Sequence, residues 1–274
     1  MSPDAVARLF AAACRAELSA LKPGNVHVFA AGHGMDVSHF ERAAEAAAAV
    51  IARPGLAVGE RIRRAVDASL AVAGCNTNLG IILLTAPLVA AALEAGATPL
   101  RDRLRAVLSH LTQADAQEAF HAIASANPGG LGAAPEADVH APARLDLRAA
   151  MAIAAHRDRI AAQYTNDYAD VFELAMPHLL ATPFAPAAIE DAYLALLARW
   201  PDSHIARKFG AATAEQVCQE AQALRCQLAG ATTTERRAAL AAGDASLKAR
   251  GLNPGTTADL TVAAILAAAL SAPA

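Results

Sequence analysis

Alanine-rich segments with helical spacing run through almost the whole chain, and this pattern most constrains its fold. Apolar residues recur every three or four positions rather than in alternation, and turns bearing Gly or Pro separate the segments. Alanine has the highest helix propensity, and its small side chain lets helices approach closely. The pattern predicts an all-α fold, a single compact bundle of about eleven Ala-rich helices. The predicted helices include 100–111, 113–126, 147–160, 163–180 and 257–270.

Composition limits what such a bundle can be. Hydrophobic residues make up 55% of the chain and charged residues 18%, which excludes a disordered protein and predicts a large core. The longest apolar stretch, 79–93, contains Gly80 and Pro87 and is shorter than the about 20 residues of a membrane-spanning helix. We interpret it as a buried helix. The helices that flank the candidate linker at 127–145 look alike, so we expect one domain over residues 1–274.

Charge and cysteine content bear on partners and compartment. The net charge is −3 and no block of Lys or Arg stands out, which argues against nucleic acid as the main partner. The four cysteines form no CxxC pair, and the first ten residues lack the pattern of a signal peptide. We therefore expect a cytoplasmic protein with small-molecule partners and no membrane association. Its Ala-rich surface would also suit a homodimer.

Polar residues concentrate at four helix junctions. Loops held by a rigid scaffold are where sites are usually built, so these junctions are the candidate site. Their sequences are ALKPGNVHVFAAGHGMDVSHF at 20–40, AGCNTNLGIILL at 73–84, RWPDSHIARKFG at 199–210 and NPGTTAD at 253–259.

The first junction combines a cation, a close backbone and a possible acid/base pair. Lys22 and Gly24 have the properties of a phosphate contact, although an ordinary turn with a solvated Lys would look the same. His33 and Asp36 lie three residues apart and could share one helix face. Asp36 would serve equally well as a metal ligand or as the N-cap of the following helix.

The second and third junctions offer amide, hydroxyl and charged groups. The Asn-Thr-Asn run at 76–78 precedes a very apolar helix, where it could cap the helix or hold a ligand at its N-terminus. Asp202, His204, Arg207 and Lys208 form the densest charge cluster near a turn. A carboxylate beside two cations suits a magnesium–polyphosphate ligand, and a solvated charged loop is the alternative.

The fourth junction opens the last apolar helix. Gly255 suits the turn, and Thr256 or Thr257 could simply cap the helix. The free N–H groups and partial positive charge of a helix N-terminus also suit an anion. Asp259 lies in the first turn, where a carboxylate also suits the helix dipole.

Taken together and in this order, the four junctions resemble the triphosphoribosyl-dephospho-CoA synthase family. The family pattern has a KPG segment, a His/Met-Asp stretch, an Asn-Thr segment before an apolar helix, a segment leading to Arg and Gly, and a closing Pro-Gly-x-(Ser/Thr)-Ala-Asp-Leu run. The resemblance covers about residues 15–270. The matching positions are 22–24, 33, 35–36, 76–77, 80, 202–204, 207, 210 and 254–260.

Two departures bear on the acceptor substrate. Decarboxylase-associated members usually carry Lys and His after the Asn-Thr pair, where this chain has Asn78 and Leu79, and they read KPGLVD where it reads KPGNVH. The KPGNV and NTNLG forms look more like a divergent branch seen in archaea and methylotrophs. The resemblance therefore implies the type of reaction more strongly than the acceptor.

The resemblance implies a pentosyltransferase of coenzyme biosynthesis that joins the ribose C1 of ATP to the 2′-hydroxyl of 3′-dephospho-CoA and releases adenine. A carboxylate would stabilise the oxocarbenium-like sugar, and Mg²⁺ with Lys or Arg would hold the triphosphate. The implied catalytic residues are His33, Asp36 and Asp259, with His27 and Glu17 in reserve. The implied Mg²⁺ ligands are Asp36, Asp202 and Asp259. The implied substrate-binding residues are Lys22, Gly24, Asn25, Asn76, Thr77, Asn78, Arg207, Lys208, Gly255, Thr256 and Thr257.

Other functions fit parts of the same pattern. The acceptor could be a methanopterin-type cofactor precursor of methylotroph C1 metabolism, with a phosphoribosyl compound as donor. A Mg-dependent ADP-ribosyl-type hydrolase would use water as the acceptor. A nucleotide-binding scaffold would bind its ligand without turnover, but polar residues at four helix ends argue against a pure scaffold.

Overall fold

The computed structural model describes residues 1–30, 37–129 and 136–272, and thirteen α-helices run through them without a β-strand. The all-α prediction is confirmed, with somewhat more helices than the predicted eleven. Among the described residues, none of these helices combines the length and the apolar character needed to cross a bilayer. The helices are α1 Pro3–Ser19, α2 Val37–Ile51, α3 Val58–Ala73, α4 Leu79–Leu93, α5 Leu100–Ser109, α6 Gln113–Ala126, α7 Leu147–Ala154, α8 Arg159–Thr165, α9 Pro186–Leu197, α10 Ser203–Phe209, α11 Ala211–Leu228, α12 Thr233–Ala249 and α13 Gly255–Ser271.

Two predicted helices are interrupted in the structure. The predicted helix 147–160 breaks after α7 because the Asp158 side chain caps α8, accepting hydrogen bonds from the backbone of Ile160 and Ala161. The predicted helix 163–180 breaks at Asp167 and Tyr168, whose φ angles of 54° and 57° are left-handed. A π-helix, Asp170–Ala175, and a 3₁₀ turn, Met176–His178, follow.

Helices α4 and α13 lie at the centre of the molecule. Nearly all residues of both are buried, so neither has the polar face of a surface helix. Helix α13 packs against α1, α4 and α9. A second apolar cluster joins α9 to α12, and the start of α13 spans both clusters: Ala258 belongs to the smaller one and Leu260 to the larger one.

Pro87 lies inside α4, and two buried tyrosines accompany it. Proline has no N–H, so the carbonyl of Leu83, four residues earlier, loses its helical donor. The Tyr164 hydroxyl donates to this carbonyl at 2.6 Å, and the Tyr168 hydroxyl donates to the carbonyl of Leu84 at 2.9 Å. The segment around α8 thus supplies the hydrogen-bond donor that Pro87 lacks. It also packs against α4, which lines the cavity described below.

Candidate active site

A cavity of about 430 Å³ opens among α4, α6, α7, α8, α10 and the start of α13. Its wall contains residues from all four polar junctions, which are far apart in the sequence. Of the sequence-predicted site residues, it includes Asn25, Asn76, Thr77, Arg207, Lys208, Gly255, Thr256 and Asp259, and it also includes the reserve residue Glu17. Five other sequence-predicted residues lie outside the wall, and their contacts are described below: Lys22, Gly24, Asn78, Asp202 and Thr257.

Asp259 is placed where α13 passes the beginning of α4. Its carboxylate lies against Gly80, and a methyl group added at Gly80 would overlap it. Burial raises the pKa of Asp259 well above its ordinary value, and the nearby carboxylates of Asp202 and Glu17 raise it further, against the opposing charge of Arg207. A buried carboxyl group with a raised pKa keeps a proton that an ordinary Asp would lose, which suits it to proton transfer.

Cationic side chains line the same cavity. Helix α10 carries Arg207 and Lys208 in its last turn, where positive charge complements the helix dipole. Arg207 pairs with Asp158 at 2.9 Å, Nη1 to Oδ2, and Arg157 lines the cavity beside them. The cavity therefore presents a cluster of positive charge close to a carboxyl group that resists ionisation.

Lys22 does not reach the cavity as the phosphate contact that the sequence suggested. Its side chain is fully buried and pairs with Glu17, and its ammonium also donates to the Asn25 side chain at 2.9 Å and to the Val26 carbonyl at 2.8 Å. Burial raises the pKa of Glu17 and lowers the pKa of Lys22, and each charge opposes the shift of the other. Glu17, rather than Lys22, faces the cavity.

Gly24 serves to lock the first and fourth junctions together. It has a left-handed φ of 81°, and a Cβ atom there would lie 2.8 Å from the Leu252 carbonyl oxygen and 2.9 Å from Pro254. Beside it, the Asn25 amide donates to the Asn253 side chain at 2.8 Å. The two Pro-Gly turns therefore interlock, and Asn25 and Asn253 both face the cavity.

Asp202 has the contacts of a double helix cap rather than those of a metal ligand. One carboxylate oxygen accepts from the backbone of His204 and Ile205, and the other accepts from the backbone and hydroxyl of Thr257, both at 2.8 Å. Asp202 lies outside the cavity wall, and so does Thr257. We therefore assign both residues to the attachment of α10 to α13, and we do not carry Asp202 forward as a metal ligand.

The Asn-Thr-Asn run at 76–78 contains one structural residue and two residues that face the cavity. Asn78 is buried and donates to the Ser69 hydroxyl, so its position is structural. Asn76 accepts from the backbone of Leu79 and still faces the cavity. The buried hydroxyl oxygen of Thr77 has no hydrogen-bond partner within the described residues, although the residue lines the cavity. This leaves Thr77 available to a ligand.

The catalytic prediction for His33 and Asp36 lies outside the described residues, and it stays a prediction. Among residues 1–30, 37–129 and 136–272, no three His, Cys, Asp or Glu side chains are grouped so that they could hold a metal ion. The described carboxylates do not form a magnesium site by themselves, so Mg²⁺ binding also stays a prediction.

Three residues without a predicted site role also line the cavity: Arg157, Asp158 and Asn127. A signal for the first two was present, because the charged run at 156–159 interrupts an apolar helical pattern. A helix that is broken by an Asp cap brings its polar residues to one end, as happens here between α7 and α8. Asn127 ends α6 with a left-handed φ of 41°, which is typical of an Asn cap.

A family model matches nearly the whole chain. The model of the CitG family, described as ATP:dephospho-CoA triphosphoribosyl transferase, matches residues 3–274. The chain belongs to this family. The resemblance drawn from its motifs is thereby confirmed, and the chain is a member of a transferase family.

A solved structure shares the fold. The proposed triphosphoribosyl-dephospho-CoA synthase from Archaeoglobus fulgidus superposes with a TM-score of 0.67, covering 86% of this chain and 98% of that chain, at 24% sequence identity. At this identity the likeness establishes the fold alone. None of the curated proteins matches the chain.

Proposed function

We propose that the protein transfers the triphosphoribosyl group of ATP to the 2′-hydroxyl of 3′-dephospho-CoA and releases adenine. The observation that carries this proposal is the meeting of all four polar junctions in one cavity, where Asp259 lies close to Arg207. A triphosphate needs concentrated positive charge, and a glycosyl transfer needs an acid/base group at the sugar. The cavity brings both together.

The cations of the cavity would bind the triphosphate. Arg207 and Lys208 come from the last turn of α10, and Arg157 comes from the break before α8. Arg can form paired hydrogen bonds with phosphate oxygens, whereas Lys acts more as a point charge. Asp158, which pairs with Arg207, would hold this guanidinium in place before the substrate arrives.

Asp259 would move the proton that the reaction requires. When the bond between ribose C1 and adenine breaks, its electron pair stays on adenine, which takes a proton. When C1 bonds to the acceptor oxygen, the hydroxyl proton is released. In our proposal protonated Asp259 gives its proton to adenine, stabilises the developing positive charge as a carboxylate, and then receives the hydroxyl proton. The raised pKa of Asp259 supports the protonated starting state.

Polar groups between the cations and Asp259 would orient the sugar. Asn76 and Thr77 stand at the beginning of α4, and Gly255 and Thr256 stand at the beginning of α13. Both helix ends offer partial positive charge to an anionic substrate. Mg²⁺, when bound with Asp36, would neutralise part of the triphosphate charge. His33 remains a second candidate for proton transfer.

The test of this proposal is an assay of the purified protein with ATP, 3′-dephospho-CoA and Mg²⁺. Mass spectrometry should find free adenine and the triphosphoribosyl adduct in equal amounts. Asp259→Asn should abolish both products, and Asp102→Asn, at an exposed ion pair on α5, should leave them unchanged. Adenine released without any acceptor would indicate a hydrolase. Absence of adenine with dephospho-CoA but ribosyl transfer to a pterin-linked acceptor would indicate the other transferase.

A further inference from the structure

The cavity has an apolar part that none of the polar groups above explains. Its wall is formed by side chains of α4, α6 and α7. We call this part the apolar compartment, and its residues are Leu83, Phe120, Ile123, Ala150, Met151 and Ala154. Such a wall gains from contact with an uncharged, poorly hydrated group and has little to offer a phosphate.

We propose that the apolar compartment binds the flat base of the donor nucleotide while the cations of α10 hold its phosphates. This inference rests on the proposed function, because it assigns the two ends of one nucleotide to the two ends of the cavity. The sugar then lies between them, over Asp259. This is the order of groups in a nucleoside triphosphate: phosphates, ribose, base.

Contacts along the cavity wall follow the order of phosphates, ribose and base. Arg207 pairs with Asp158, which caps the helix that contributes Ile160. A methyl group at Gly80 would meet both the Asp259 carboxylate and the Ile160 side chain, so these two groups adjoin. Leu83, one helical turn beyond Gly80, then begins the apolar compartment.

At the rim of the cavity, Lys208 of α10 lies close to the segment that follows α6. A Cβ atom built on Gly129 would lie 3.3 Å from Cε of Lys208. Gly129 follows closely on Asn127, the C-cap of the helix that supplies Phe120 and Ile123. One nucleotide can therefore reach both the ammonium of Lys208 and the apolar side chains of α6.

The chemistry of the wall favours a flat ring over the pantetheine arm of dephospho-CoA, and because dephospho-CoA also carries an adenine, separate titrations of ATP and dephospho-CoA distinguish the two bases. The faces of a purine ring are apolar, and they suit contact with the ring of Phe120 and the polarisable thioether of Met151. Asn127 at the rim has an amide that can donate to and accept from the edge of adenine. The pantetheine arm carries two amides along its length, and an apolar wall would leave them without partners.

The test fills the apolar compartment and measures binding without turnover. Ala154 is half-buried and faces the cavity, so Ala154→Phe would occupy the space of a ring. Ala152 lies on the same helix but is exposed and outside the wall, which makes Ala152→Phe the matched control. Titration calorimetry of the full chain would measure ATP, inorganic tripolyphosphate and 3′-dephospho-CoA separately.

We expect Ala154→Phe to weaken ATP binding about tenfold or more and to change tripolyphosphate binding less than twofold, because only ATP carries a base. Lys208→Gln should weaken both ligands, and Ala152→Phe neither. Equal loss of ATP and tripolyphosphate, no loss of either, or a loss confined to dephospho-CoA would each overturn the assignment of the base. Unchanged circular dichroism of Ala154→Phe would show that it folds.

The result is independent of catalysis. If the protein fails to transfer the triphosphoribosyl group but Ala154→Phe separates ATP from tripolyphosphate, the proposed reaction is wrong and the base compartment stands. If transfer is observed but Ala154→Phe binds ATP normally, the reaction stands and the compartment is wrong.

Discussion

At the scale of single residues, the hydrogen atom that Gly80 has in place of a side chain determines the position of Asp259. Helix α13 can bring its carboxylate against α4 only because no Cβ atom intervenes. This connects two motifs that are distant in the sequence, the NTNLG run and the closing NPGTTADL run. Each motif by itself has the composition of an ordinary helix start.

Gly80→Ala should therefore displace Asp259. We expect transfer activity to fall by at least about tenfold and the free energy of unfolding to fall by about 1–3 kcal/mol, as in overpacked sites. Gly243→Ala is the matched control, because an added Cβ on α12 would have ordinary contacts with Leu224 at 3.5 Å and Pro23 at 3.6 Å. Chemical denaturation and the adenine assay would measure both. Full activity in Gly80→Ala would contradict the placement of Asp259.

Asp259→Asn should raise stability at neutral pH while removing activity. The pKa of Asp259 is raised in the folded state, so its contribution to stability is fully present below the ordinary value of 3.8 and is lost as the pH rises from there toward the raised pKa. The Asn variant does not lose this contribution. Unfolding curves at several pH values should show a stability difference that grows above pH 3.8 in favour of the variant. A difference that is independent of pH would contradict the raised pKa.

Lys22 illustrates which residue-level predictions a sequence can support. Its KPG context selected a segment that borders the cavity through Asn25. The sequence could not show that Glu17, in the last turn of α1, would pair with the ammonium in the interior. Burial of a charge depends on a partner that only the folded chain brings near it.

At the scale of helices, α4 depends on a tyrosine to complete its backbone hydrogen bonds. Tyr164→Phe should leave the Leu83 carbonyl buried without a donor and lower the free energy of unfolding by about 1–3 kcal/mol. Pro87→Ala restores the missing N–H, so Tyr164→Phe should cost less in that background. A double-mutant cycle by urea denaturation would measure this coupling. Equal costs in both backgrounds would show that the hydroxyl does not compensate for the proline.

The prediction of helices worked where apolar spacing was long and regular, as in α4 and α13, and the structure confirms both. It missed α10, which has only seven residues and no regular apolar pattern. That helix depends on the side chain of Asp202, which caps it and also holds Thr257 of α13. A short helix of this kind is stabilised by tertiary contacts more than by its own propensity, so periodicity could not reveal it.

At the scale of the whole molecule, ligand binding should stabilise parts of the chain that are far apart in sequence. The cavity wall joins the larger apolar cluster to the smaller one through α13 and α10. ATP at about 100 times its Kd should add about 2.7 kcal/mol to the free energy of unfolding. Thermal melting with and without ATP would measure the effect. Lys208→Gln should reduce it, and Arg8→Gln on the exposed side of α1 should not.

The overall fold class could be predicted from alanine content and periodicity, but the convergence of the four junctions could not. Nothing in the order of the motifs places Gly80 beside Asp259, since this depends on how α4 and α13 pack in the core. Residues from each of the four junctions that the family pattern selected line the cavity. The structure then separated residues that face the cavity from Lys22, Gly24, Asn78, Asp202 and Thr257, which hold its walls in place.

The interlocked turns that carry Asn25 and Asn253 join positions that are 228 residues apart. The ribosome makes the first turn long before the second, so the nascent chain has no complete cavity until the turn around Asn253 has been synthesised. Substrate in the surrounding solution therefore cannot guide the early stages of folding.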